Sequence, residues 1–221
     1  MSNELTNERV KEYGLNAGAN VVGIASAKDF GSAPEGSHPS DNLEGCRSVI
    51  VLGTTFPHEV LNNTVEYTAS RNAMLTKMTD IAKEVAKRVK ADGYQSKAIS
   101  ASGGKTVDGK MYGHISLKHA AELAGLGIVG KNYLLINSEY GTLLWLSAVL
   151  TDADLTPDKK AQYNICENCN ICVEACPTGS LDDLDDFGRK ECAKFFKIVN
   201  KKLEIQCFLC RKVCPYCFGI D

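Results

Sequence analysis

This chain of 221 residues predicts an α+β fold: a layered domain over residues 1–155, then a small cysteine-rich module over residues 156–221. Three observations predict it. Apolar, β-branched runs alternate with amphipathic helical stretches, without a strict βαβ repeat. Nine of the ten cysteines lie after residue 165, so composition itself marks a boundary. With 44% hydrophobic residues, the longer part can bury a core of its own.

Taken in order, residues 4–18 suit a first helix with Val10, Tyr13 and Ala17 on one face. VVGIASA (21–27) and SVIVLGTTF (48–56) are apolar runs bounded by Gly, Pro and Asp, which marks buried strands. The Gly-, Pro- and Ser-rich stretch between them reads as loop. Residues 64–91 place Leu75, Met78, Ala82, Val85 and Val89 on one helical stripe, stopped by Gly93. KAISASGG (97–104) is a short strand, and HISLKHAAELAG (114–125) is a helix ending in glycine. NYLLINSEYGTLLWLSAVLTDA (132–153) reads as a hairpin of two strands around SEYG, and TPDKKAQ (156–162) as a polar linker.

The cysteine module carries the chemistry. Cys166, Cys169 and Cys172 recur every third residue, so one short loop can wrap three corners of a cubane iron–sulfur cluster. Cys176-Pro177 follows, as in bacterial two-cluster ferredoxins, whose fourth cysteine ligates the other cluster. A second run, Cys207-x2-Cys210-x3-Cys214-Pro215, lacks its first cysteine. Crossing the ligands as ferredoxins do gives Cys166, Cys169, Cys172 and Cys214 for one [4Fe–4S] cluster. Cys192, Cys207, Cys210 and Cys176 then hold a second. Cys217 competes with Cys192, because Cys207, Cys210, Cys214 and Cys217 are also four in a row. Zinc likewise takes four thiolates, but its spacings come as separated CxxC knuckles without the Cys-Pro turn. Cys46, alone in LEGCRSV, reads as a small buried side chain beside a strand.

AGLGIVGK holds Gly125-x-Gly127-x-x-Gly130, a literal GxGxxG. A dinucleotide fingerprint must follow a strand and open a helix, and here the helix comes first. The glycines followed by Lys131 and Asn132 fit either a tight helix-to-strand turn or a backbone wrapped against a ligand.

GHISLKHAAELAGLGIVGKNYLLINSEYG, then LTDADL, then the detached-cysteine module, resemble the epoxyqueuosine reductase and reductive dehalogenase family. LNAGANVVGIASA and SHPSDNLEGCRSVIVLG do so too. The resemblance covers nearly the whole chain. It implies a nitroreductase-like layered domain that holds cobalamin beside a ferredoxin-like module with two [4Fe–4S] clusters. Electrons would pass through the clusters to cobalt for reductive cleavage of a C–O or carbon–halogen bond. The cofactor side would then comprise His119, Gly125, Gly127, Gly130, Lys131 and Asn132. For His119, on a helix among alanines, a packing histidine is the simpler reading. Where epoxyqueuosine reductase has an aspartate proton donor this chain has Met111, and Asp108 stands three residues off. Acids near the glycine turn are Tyr112, His114, His119 and Lys131, of which Tyr112 and His114 are the catalytic candidates.

The net charge of −2, and no Lys/Arg block that stands out, predict no nucleic-acid partner. The helical-repeat extension that such reductases use for tRNA has no counterpart before Asp221. No export signal or long apolar stretch is evident, so a cytoplasmic protein working under anaerobic conditions is expected, with no membrane contact. The partners expected are a low-potential donor of ferredoxin or flavodoxin type and a small-molecule substrate. Cobalamin is large for a domain of this size, which is compatible with a homodimer sharing the lid. The other expectation is an electron-transfer protein that reduces a corrinoid or redox centre on a partner.

Overall fold

A computed structural model describes residues 4–101, 105–107, 110–182, 189–199 and 202–220. The chain forms two compact units that interleave in sequence: residues 1–55, 75–127 and 145–161 in one, and 56–74, 128–144 and 162–221 in the other. This differs from a single cut after residue 155, because two internal segments join the cysteine-rich tail.

The first unit is built on a four-stranded sheet. Its strands are β1 (Val21–Ser26), β2 (Ser48–Thr55), β3 (Ser96–Ile99) and β8 (Leu144–Thr151), in the order β1-β2-β8-β3. β1 runs antiparallel to β2, with Val21 opposite Gly53 and Ser26 opposite Ser48; β3 runs antiparallel to β8. β2 and β8 are buried at nearly every position, as expected of strands covered on both faces and flanked on both sides. Helix α1 (Asn7–Asn16) opens with Thr6, whose hydroxyl accepts from Arg9 N. A short helix α2 (Pro39–Asn42) is capped by His38, whose Nδ1 accepts from Ser40 N.

Helix α3 (Thr64–Ala91) matches the span read from its stripe. From Met78 to Val89 it buries Met78, Ile81, Ala82, Val85, Ala86 and Val89 in one cluster with Ile24, Ile50, Leu52 and Val149 of the sheet. Each large side chain there stabilises the fold by about 1.5–3 kcal/mol. Leu75 is only half-buried and Met74 takes the inward place. The stretch read as a linker is held down: Ile24 N donates to Asp158 Oδ2 at 2.9 Å, Asp158 N to Ile24 O at 2.8 Å, and Lys11 pairs with the same carboxylate at 2.6 Å. β4 (Lys105–Val107) and β5 (Lys110–Tyr112) form a separate ribbon, and α4 (Leu117–Leu123) follows. Residues 102–104, the end of the strand expected over 97–104, lie outside the described residues, as do Asp108 and most of the acidic run 182–186.

In the second unit β6 (Ile128–Val129) pairs with β7 (Leu135–Ile136). The hairpin expected around SEYG is therefore corrected. Asn137 and Gly141 make only an isolated bridge, and β8 leaves to enter the four-stranded sheet. Three one-turn helices, α5 (Ile171–Glu174), α6 (Arg189–Cys192) and α7 (Leu209–Lys212), carry cysteines. Between α6 and α7, β9 (Phe196–Val199) and β10 (Lys202–Ile205) form an antiparallel hairpin. Thr68 ties this hairpin to the start of α3, its Oγ1 accepting from Ile205 N at 3.0 Å. Among the described residues no helix is long and apolar enough to cross a membrane.

Candidate metal centre

The second unit uses one local motif twice. Cys169-x2-Cys172-x3-Cys176-Pro177 puts Cys172 in α5, and Cys207-x2-Cys210-x3-Cys214-Pro215 puts Cys210 in α7. Both turns close alike: Ala175 N donates to Ile171 O (3.1 Å) and Val213 N to Leu209 O (2.9 Å). Cys176 N then donates to Val173 O (3.0 Å) and Cys214 N to Arg211 O (3.3 Å). A proline follows each time, and with no N–H and a fixed φ it cannot continue the helix. The two turns pack on one another.

Cys166, Cys169, Cys172 and Cys214 line one small hollow, together with Lys131, Asn132 and Ile136. Burial raises the Cys172 thiol, and the thiolates of Cys166 and Cys169 raise it further. Cys214 is pushed up to about 11 by burial, with Cys166 and Cys172 adding to the effect. Charged sulfurs this close and this dry repel one another unless a metal takes the charge. Among the described residues no three His, Cys, Asp or Glu side chains close on a point suited to a single ion. Four cysteine thiols lining one hollow are the donor type that iron–sulfur clusters take.

A second group gathers around Cys210, which burial pushes up to about 11 against the opposing charge of Arg211, with Cys192, Cys207 and Cys172 adding to the rise. Cys176 lies below the ordinary range: burial opposes this, but the Thr178 hydroxyl and the backbone amides of Thr178, Ser180 and Leu181 outweigh it. Cys217, whose charge adds to the rise at Cys214, is held differently. It is 1% exposed, accepts a hydrogen bond from Thr142 Oγ1 at 3.5 Å, and is raised chiefly by burial. In the first unit Cys46 is buried, its thiol directed at Ser48 O.

Four of the six residues named for a corrinoid, Gly125, Gly130, Lys131 and Asn132, are engaged inside the protein. Gly125 sits at φ +73°, and a Cβ there would lie 2.2 Å from Lys159 O. At Gly130 a Cβ would meet Ile136 Cδ1 at 2.6 Å. Gly127 has φ +155°. Close packing of the chain on itself thus accounts for Gly125 and Gly130 without a ligand. Lys131 Nζ donates to Glu167 O (3.0 Å) and Asn170 Oδ1 (2.8 Å), inside the Cys166–Cys172 loop. Buried Asn132 reaches Cys210 O at 3.4 Å and accepts from Leu134 N. Exposed His119 pairs through Nδ1 with Ser116 Oγ at 2.7 Å. Gly125, Gly130, Lys131 and Asn132 are thus engaged by the chain itself among the described residues. The four thiols around the first hollow, by contrast, are a donor set that fits an iron–sulfur cluster.

Of Tyr112 only the backbone is described, paired with Lys105 in the β4–β5 ribbon. His114 is exposed, and its carbonyl accepts from Asn42 Nδ2 at 2.8 Å. No bond joins either residue to the cysteines among the described contacts. The residue that sequence reading missed is Arg211, which is 4% exposed between Cys210 and Cys214. A cation inside a cysteine run was its available signal.

Comparison with solved structures defines the class of fold. An epoxyqueuosine reductase solved with an epoxyqueuosine-modified tRNA-Tyr stem loop superposes with a TM-score of 0.67 at 19% identity, covering 97% of this chain and 66% of that one. A catabolic reductive dehalogenase superposes at 0.65 and 20% identity, covering 95% and 31%. A third structure, of a reductive dehalogenase linked to B12-dependent dehalogenation, gives 0.64 at 18%, covering 93% and 30%. The chain therefore has the mixed α/β fold of these reductases.

No protein-family model matches the chain. Among curated proteins it is similar to the epoxyqueuosine reductase of Listeria monocytogenes, 37% identical over 121 residues, covering 49% of this chain and 31% of the relative. With that of Lactococcus garvieae it shares 26% over 216 residues, covering 90% and 60%. The resemblance read from AGLGIVGKN and the cysteine module is borne out, while the chain spans less than two thirds of these relatives' length. One expectation is overturned. The neighbour holding a tRNA stem loop shows that nucleic acid is a partner on this fold, against the absence inferred from net charge. Net charge averages over the surface and does not report a local binding face.

Proposed function

We propose that the protein is an iron–sulfur oxidoreductase of the epoxyqueuosine reductase kind, acting on a modified nucleoside carried by RNA. Its second unit would hold two [4Fe–4S] clusters, one on Cys166, Cys169, Cys172 and Cys214 and one on Cys192, Cys207, Cys210 and Cys176. The observation that carries this reading is the hollow that brings Cys214 beside three cysteines more than forty residues earlier. That crossing is the ligand exchange of two-cluster ferredoxins. The finer layout, a nitroreductase-like unit taking cobalamin and a ferredoxin-like module feeding it, follows from likeness to the B12-linked neighbour.

Clusters supply electrons one at a time, and cobalamin, when bound, supplies the nucleophile for bond cleavage. The chain's own residues shape the relay. Lys131 and Asn132 hold the two cysteine loops, and the Cys-Pro turns would send each last thiolate across to the other cluster. Tyr112 and His114 stay the candidate proton donors. A low-potential ferredoxin- or flavodoxin-type protein would supply the electrons.

A second reading has its own support: four of the six residues expected around cobalamin are taken up internally. On that reading the protein passes electrons to a partner's corrinoid. Anaerobically purified protein should contain about eight iron and eight sulfide per chain. It should take up one cobalamin with a base-off absorption spectrum, and reduce epoxyqueuosine in a tRNA stem loop. Full clusters without cobalamin uptake would favour the second reading. Zinc in place of iron defeats both.

A further inference from the structure

Arg211 is a buried cation whose electrostatic neighbours include the thiols of Cys210 and Cys217. It is 4% exposed, and among the described residues its Nη1 has no hydrogen-bond partner. Its guanidinium carbon lies 5.5 Å over the ring of Phe56, which stacks on Tyr67 and through it on Phe208. Among the described residues no carboxylate forms an ion pair with it. Arginine does not shed its proton in proteins. A buried, uncompensated ion costs several kcal/mol, far beyond what one aromatic face returns. A fold that keeps such a group needs an anion at its side.

We propose that this anion is the iron–sulfur cluster ligated by Cys210, and that Arg211 is the positioning residue setting its charge and potential. The inference rests on the cluster reading above. A 2+ cubane on four thiolates carries a net charge of about −2 and becomes more negative by one on reduction. Arg211 follows Cys210 directly in α7, and its charge acts on the Cys210 sulfur, so a cluster ligated there lies within its field. A fixed cation favours the more negative state, so it raises the reduction potential. Reduction adds one electron from the low-potential donor, and no bond forms or breaks. Aromatic packing excludes water from the cation, so its effect is little screened by salt.

The test is to purify the unaltered protein, Arg211→Met and Arg211→Lys anaerobically, then to measure iron content and both cluster midpoints by EPR-monitored titration. In Arg211→Met one of the two couples should move down. Its reduced-to-oxidised ratio at fixed potential should fall at least about tenfold, equal to about 59 mV for one electron, while the other couple stays. Arg211→Lys should keep most of the wild-type value. If Arg211→Met loads only about four irons and Arg211→Lys restores about eight, the charge role also stands. Two full clusters with unmoved midpoints in Arg211→Met overturn the inference, because the residue then serves only packing on Phe56. Failure of both variants to load overturns it too, since charge retention did not help. Iron absent from the unaltered protein sinks the cluster reading and takes this inference with it.

Discussion

Cys192 and Cys217 compete on paper for one ligand position, and their surroundings separate them. Cys210 feels the charge of Cys192 and Cys207, whereas Cys217 faces Thr142 and lies behind Gly141, whose Cβ would strike Cys217 O at 2.2 Å. A thiolate ligand needs room for metal on its open side, and Cys217 has protein there. Cys192→Ser should therefore drop iron content by about half, from about eight to about four per chain. Cys217→Ser should keep both clusters and cost about 1 kcal/mol of stability. Iron analysis and thermal melts of the two variants check this. Equal iron loss would return Cys217 to the ligand set. At the same scale Lys131 changes meaning: a lysine after three glycines looks like a ligand-binding residue, yet its two bonds fasten the Cys166–Cys172 loop.

At the scale of elements, the turn after α4 shows how a motif can mislead. GxGxxG is a pattern of missing side chains, and what fills the space is not written in it. Lys159 O fills it at Gly125, with φ at +73°. Gly125→Ala should thus destabilise the protein by roughly 2–4 kcal/mol, from left-handed strain and backbone overlap together. Denaturant melts measure this; a cost under about 1 kcal/mol would mean that Lys159 moves aside freely. The hairpin expected at SEYG fails for a related reason. Alternation and turn residues describe a strand and its end, while the choice of partner depends on which neighbour buries both faces. β8 is buried along nearly its whole length, and a two-stranded ribbon cannot supply that.

At the scale of the whole molecule, each unit has its own source of stability. The first has a continuous apolar cluster from Leu5 to Leu155. The second buries polar and sulfur groups beside its apolar ones, Arg211 and Cys172 among them. Metal binding in such a unit is folding free energy. Removing iron with a chelator should raise amide hydrogen exchange across residues 166–217 by tenfold or more. The amides of β1, β2, β3 and β8 should stay protected. Hydrogen-exchange mass spectrometry reads both, and uniform loss of protection would refute the separation.

Much of this was legible beforehand because it is local. Strand and helix spans, the one-turn motif ending in Cys-Pro and the gathering of cysteines at one end all follow from neighbours within a few residues of one another. Those features sufficed to determine an α+β chain with a cysteine-rich tail and its likeness to epoxyqueuosine reductases. Only the tertiary structure decided which sheet receives β8, which segments join the tail, what occupies the space at Gly125, and that Arg211 is buried with its Nη1 unpaired among the described residues. These are contacts between residues far apart in the chain. Packing and desolvation select them, and no local pattern encodes either.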